Sequence, residues 1–124
     1  MSLLVWVYVA NATLLIVHEI DSAFWEEWKL FKIPGGIQVY LLLHIPLVSL
    51  IFYGLLEVSS GSYAGLMVSL ILSLGGLFAF SIHMYFIGKG HPEFTAPISR
   101  LILYSTLMVS FAQLWLTAKS MVSA

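Results

Sequence analysis

Cysteine is absent from this chain, which excludes disulfides and thiolate metal ligands while leaving the compartment open. Charge is nearly as scarce. Only 9% of the 124 residues are Asp, Glu, Lys or Arg, and the formal net charge is -1. No basic patch is available for nucleic acid, so no such partner is expected. No basic residue precedes the first apolar stretch, which ends in His18-Glu19-Ile20-Asp21. It lacks the positive start and small-residue cleavage site of a signal peptide and reads as a retained span. There is no convincing internal repeat, low-complexity tract or interdomain linker.

What fills the chain is apolar side chain, 60% of residues, with a mean hydropathy of +1.00. A membrane-crossing helix needs about 20 mostly apolar residues. Four stretches qualify, at roughly 2–20, 37–57, 63–88 and 97–119. The expected fold is all-α: an integral-membrane, up-and-down four-helix bundle forming a single transmembrane domain over 1–124. Residues 22–33, SAFWEEWKLFKI, carry Ser22 as a candidate N-cap, with Glu26 and Glu27 in the first turn, where the helix dipole favours acids. Phe24, Trp28 and Phe31 recur at helical steps, so a short interfacial helix is expected between spans 1 and 2, with Glu26 and Glu27 on its solvated side. Pro34-Gly35-Gly36 ends it.

Ionisable groups within membrane spans are costly, and each is a functional hypothesis. In the up-and-down reading nearly all of them gather at one membrane face. His18 lies near the end of span 1, His44 about two turns into span 2, where Pro46 should loosen the helix, and His83 near the end of span 3. A rise of about 1.5 Å per residue puts all three within roughly 10 Å of one interface. Asn11, His18 and Asp21 share a helical stripe of span 1. Trp6 and Tyr8 mark the opposite interface. In span 3, Ser69, Ser73 and Gly76 form a small-residue stripe that His83 continues, so His83 should face the bundle interior. Thr106, Ser110, Gln113 and Thr117 form a polar stripe in span 4, suited to interhelical hydrogen bonds. Lys29, Lys32, Lys89 and Arg100 fall on the ionisable side against Lys119 on the other, which predicts a cytoplasmic location for the cluster.

His18, Asp21, His44, His83, His91 and Glu93 are therefore candidate ligands of a divalent metal. Three imidazoles with a carboxylate or water suit zinc, whereas imidazoles with several carboxylates suit iron. Glu19 or Asp21 would orient a ligand or act as general base. Arg100 would hold an anionic headgroup or anchor the helix by snorkelling. There is no HExxH motif. The leading expectation is a small metal-dependent membrane enzyme acting on a lipid or other hydrophobic substrate, a hydrolase or an oxidoreductase, within the lipid bilayer. One alternative is a haem-binding electron carrier with His44 and His83 as axial ligands. Another is a non-enzymatic transport or binding module, for which a homo-oligomer is expected because four spans make a thin-walled pathway.

The strings His18-Glu19-Ile20-Asp21-Ser22-Ala23-Phe24-Trp25-Glu26-Glu27-Trp28, Pro34-Gly35-Gly36 with His44, and Gly90-His91-Pro92-Glu93-Phe94 are similar to a group of small four-span membrane proteins without an assigned function. The first string also faintly resembles membrane proteins named for an HXXEE motif, although Asp21 and Ser22 stand here where that motif has paired glutamates. Neither resemblance implies a reaction.

Overall fold

The computed structural model describes residues 2–123 and is helical throughout, apart from short turns. Four long helices are apolar and long enough to cross a membrane: α1 (Leu3–Phe24), α3 (Gly36–Ser59), α4 (Tyr63–Gly88) and α5 (Pro97–Ser123). A single-turn helix, α2 (Glu27–Leu30), lies between the first two. Consecutive long helices run antiparallel, and the bundle closes as a ring in the order α1, α3, α4, α5. This is the expected all-α four-helix architecture of a multi-pass membrane protein.

Side-chain oxygens start two of the helices. Ser2 accepts from the Val5 N–H and Ser62 from the Gly65 N–H, each satisfying an otherwise unpaired amide of the first turn. Proline does not break α3, which continues through Pro46. Small residues set the close approaches. A Cβ on Gly54 would meet Val68 and the Tyr8 hydroxyl, and one on Gly65 would meet the backbone of Glu57 and Val58. The C-terminal part of α3 and the start of α4 are thereby pinched together. At Gly76, a Cβ would strike the Ser110 hydroxyl, which sets α4 hard against α5.

The interior beside α5 is polar and mostly paired, although the Thr106 hydroxyl is buried there without a partner among the described residues. Asn11 Nδ2 donates to Ser110 Oγ at 3.1 Å and to Gln113 Oε1 at 2.6 Å. Gln113 Nε2 donates to Ser69 Oγ at 3.0 Å, and Ser69 bonds to Thr117 at 2.8 Å. Interhelical bonds of this kind average about 0.6 kcal/mol in a bilayer. They fix register more than they supply stability, and small-residue packing accounts for the tight contact.

Three local expectations are corrected. Tyr8 is not at an interface but fully buried, its hydroxyl donating to the Ile51 carbonyl at 2.6 Å. Ser22 is not an N-cap, because α1 runs on to Phe24 and carries Ser22 within it. The short helix expected between spans 1 and 2 is present as α2, but it starts at Glu27 rather than directly after Ser22. Glu26 in the left-handed region, at φ 54°, reverses the chain before it.

Candidate functional site

That reversal at Glu26 decides the fate of the next residue. Glu27 was expected on the solvated side, but it is turned inward and is 8% exposed. There it meets His18 from α1 and His83 from α4. One ligand-type atom of each residue lies within 4.8 Å of those of the other two, and all three residues are buried. The imidazoles of His18 and His83 pack edge to face, with centroids 4.5 Å apart.

The hydrogen bonds fix how His83 is presented. Its Nδ1 lies 2.7 Å from the Ala79 carbonyl, one turn back on α4, so this nitrogen carries the proton and donates. In the neutral ring, Nε2 then holds a lone pair. It is 2.9 Å from Glu27 Oε1, yet the angles are not those of a hydrogen bond. An imidazole nitrogen that holds a lone pair repels a carboxylate oxygen at this separation unless a proton or a cation lies near both. His18 Nδ1 is also buried without a hydrogen-bond partner among the described residues, and its Nε2 has only a long 3.5 Å contact to Ser22 Oγ. Buried polar atoms are nearly always paired, so two orphan imidazole nitrogens beside one carboxylate mark a site.

Phe94 closes this group from the α4–α5 turn. It is 1% exposed, its ring lies 4.3 Å from His83 and 5.7 Å from His18 by centroid, and its φ is 65°. A left-handed backbone at a bulky residue is held only where the surroundings over-determine it.

A second pair lies beside the triad. His44 Nδ1 donates to the Tyr40 carbonyl at 2.6 Å, repeating the arrangement of His83, and its Nε2 is 2.5 Å from Glu19 Oε2. With Nδ1 already protonated, this short contact requires one more proton, on the imidazole or on the carboxylate. The Tyr40 hydroxyl donates to the Glu19 carbonyl at 2.6 Å and reaches the same Oε2 at 3.1 Å. Its ring stacks on His44. Both His44 nitrogens are therefore engaged by the protein.

Triad and pair line one cavity of about 370 Å³ between α1, α3 and α4. Its remaining walls are mostly apolar, with Leu47, Ile51, Val68 and Leu72 among them, and Trp28 and Phe31 stand at the ionisable end. Ligand pockets commonly begin near this size and join apolar walls to a few convergent polar groups.

The other candidate residues fall elsewhere. Asp21 is half-buried and belongs to neither the triad nor the pair. His91 is exposed, with Nδ1 3.7 Å from Glu93 Oε2. Arg100 is exposed at the start of α5. Asn11 joins the paired polar interior rather than His18. Sequence reasoning missed Glu27, Tyr40 and Phe94 as site residues. A signal for Glu27 existed: it lies three residues after Phe24 and four before Phe31, on the flank of the apolar stripe rather than opposite it. No comparable signal marks Phe94, whose position depends on a turn.

Residues 4–120 match a family described as "Family of unknown function (DUF6713)", and the chain belongs to it. No curated protein and no solved structure matches the chain.

Proposed function

We propose that this family member is a metal-dependent membrane enzyme whose divalent ion is held by His18, Glu27 and His83 and whose substrate is hydrophobic. The observation that carries this reading is the buried triad with two imidazole nitrogens lacking hydrogen-bond partners, set in the wall of an apolar cavity. Two imidazoles and one carboxylate form a ligand set of catalytic zinc sites and of facial iron sites, both of which keep a position open for water or substrate. Ligand histidines usually donate their other N–H to a carbonyl or carboxylate, as His83 does to Ala79. A bound ion would polarise a substrate oxygen or lower the pKa of a water molecule. The chain's own part is to exclude bulk water with Phe94 and to keep a transferable proton between Glu19 and His44. That proton makes the pair a general acid–base candidate.

Zinc is the favoured ion, with iron as the alternative. A haem between His44 and His83 has less support, since Nε2 of each faces a glutamate. The excess of Lys29, Lys32, Lys89 and Arg100 at this end argues for a cytoplasmic site.

Elemental analysis of the purified protein tests the assignment. We expect one zinc or iron per chain, falling to below about a tenth in Glu27→Gln and His83→Ala as a ligand is lost. No stoichiometric metal in the wild type, or occupancy unchanged in both variants, would overturn it.

A further inference from the structure

The cavity has a direction. Its His and Glu lining residues, His18, Glu19, Glu27, His44 and His83, lie with Tyr40 toward the α2 end of the bundle. The lining then runs from Tyr40 to Ile51 on α3 and from His83 back to Val68 on α4, with apolar side chains beyond the ionisable end. It stops where Gly54 and Gly65 pinch α3 against α4. The eleven-residue step from Tyr40 to Ile51 corresponds to about 16 Å of helix. One leaflet contributes about 15 Å of a typical hydrocarbon core. Leu43, Leu47 and Ile71 line the cavity and are also exposed on the outer surface, so its wall between α3 and α4 opens toward the bilayer.

We propose that this cavity takes one acyl chain sideways from a single leaflet, with a neutral ester or amide head delivered to the triad and the Glu19–His44 pair. Lipid tails are as apolar as the cavity wall, so the chain moves from bilayer to cavity with little gain or cost. The head must supply the preference. Among the described residues, the Asp, Glu, Lys and Arg side chains lining the cavity are the acids Glu19 and Glu27, while Arg100, Lys29 and Lys89 are exposed and do not line it. In the metal-free protein that arrangement disfavours a free carboxylate and accommodates an uncharged carbonyl head, whereas a divalent ion on the triad would offset the two acids. The inference names the substrate class of the proposed enzyme and rests on that reading only for the chemistry at the head.

Gly75 provides a variant that fills the cavity without disturbing the packing. It lines the cavity, and beyond its two chain neighbours and the local helix backbone nothing lies within 4 Å of a Cβ placed there. Leucine at this position also suits a helix better than glycine. The test uses the full chain in phosphatidylcholine nanodiscs with a glycerol monoester of hexadecanoic acid carrying a mid-chain diazirine. Photolabelled residues are located by peptide mass spectrometry. Labelling at Leu47, Leu50, Ile71 and Leu72 should exceed that at the exposed Met108, Phe111 and Trp115 of α5 by at least about fivefold, as for a pocket rather than a lipid-facing surface. The excess should vanish in Gly75→Leu, and in the chelator-treated, metal-free protein the free acid should label less than the ester. Equal labelling of both surfaces, an excess that survives Gly75→Leu, or stronger labelling of the metal-free protein by the free acid would overturn the proposal. Metal content measured on the same samples separates the two readings. Cavity labelling without metal would retain the acyl site and refute the metal enzyme, whereas one metal per chain with uniform labelling would do the reverse.

Discussion

Asn11 and His18 lie two turns apart on the same stripe of α1, and both are fully buried, but they serve unlike surroundings. Asn11 belongs to a network in which Ser110, Gln113, Ser69 and Thr117 supply one another's partners across α1, α4 and α5. His18 belongs to a group of two imidazoles and a carboxylate in which Nδ1 of His18 and Nε2 of His83 have no hydrogen-bond partner among the described residues. The paired network behaves as interhelical packing, since each polar group has already exchanged its desolvation cost for a bond. In the second group His83 is held by the Ala79 carbonyl and lies against Glu27, but Nδ1 of His18 carries that cost without a partner among the described residues. The Thr106 hydroxyl is also unpaired in the first region, but among the described residues two imidazoles and a carboxylate converge at the second, which is why the second region and not the first is the candidate site.

The comparison can be broken from either side. The largest effect is expected at the site. His18→Leu should weaken zinc binding by about a hundredfold or more, through loss of a ligand, as read by competition with a chelator. The same change should move the stability of the metal-free protein by less than about 1 kcal/mol, because replacing an unpaired buried group by an apolar one is nearly neutral. A large loss of metal-free stability would show that His18 is a packing residue. In the paired network the pattern should invert. Gln113→Leu removes bonds to Asn11 and Ser69 and should cost about 1–2 kcal/mol in an equilibrium unfolding assay, with metal stoichiometry unchanged. The smallest effect is expected at the surface neighbour of the site. Glu26 and Lys29 form an exposed pair at 2.5 Å, and Lys29→Ala should change stability by no more than about 0.5 kcal/mol and leave metal content intact. A drop in metal content there would mean that the turn before α2 is set by this pair rather than by the buried Glu27.

The adjacent carboxylates Glu26 and Glu27 show where sequence reading reaches its limit. Both were expected on the solvated side of a short helix following Ser22, although the spacing from Phe24 and Phe31 puts Glu27 on the flank of its apolar stripe. The chain instead extends α1 to Phe24 and reverses through a left-handed Glu26, which sends the two side chains to opposite environments. The three intramembrane histidines were legible as a group at one depth, since depth follows from helix rise and topology alone. Their partners were not. His44 pairs with Glu19, while His83 faces Glu27, and the choice between these acids depends on rotation of each helix about its axis. The small-residue stripe of α4 was legible because its period of three to four residues is a property of the helix itself, and its members Ser69, Ser73 and Gly76 are buried with His83 as that period requires.

By itself, then, the sequence determined four apolar spans, their alternating direction and the gathering of ionisable groups at one end. These follow from hydrocarbon thickness, backbone hydrogen bonding within lipid and a fixed rise per residue. Tertiary structure alone decided that Glu27 rather than His44 joins His18 and His83, that Phe94 covers them, and that α3 and α4 stand apart enough to leave a cavity. Those outcomes rest on left-handed residues in two turns, Glu26 and Phe94 among them, and on glycines that pinch one end of a helix pair. Such features act through contacts between segments distant in the chain, which no periodicity along it records.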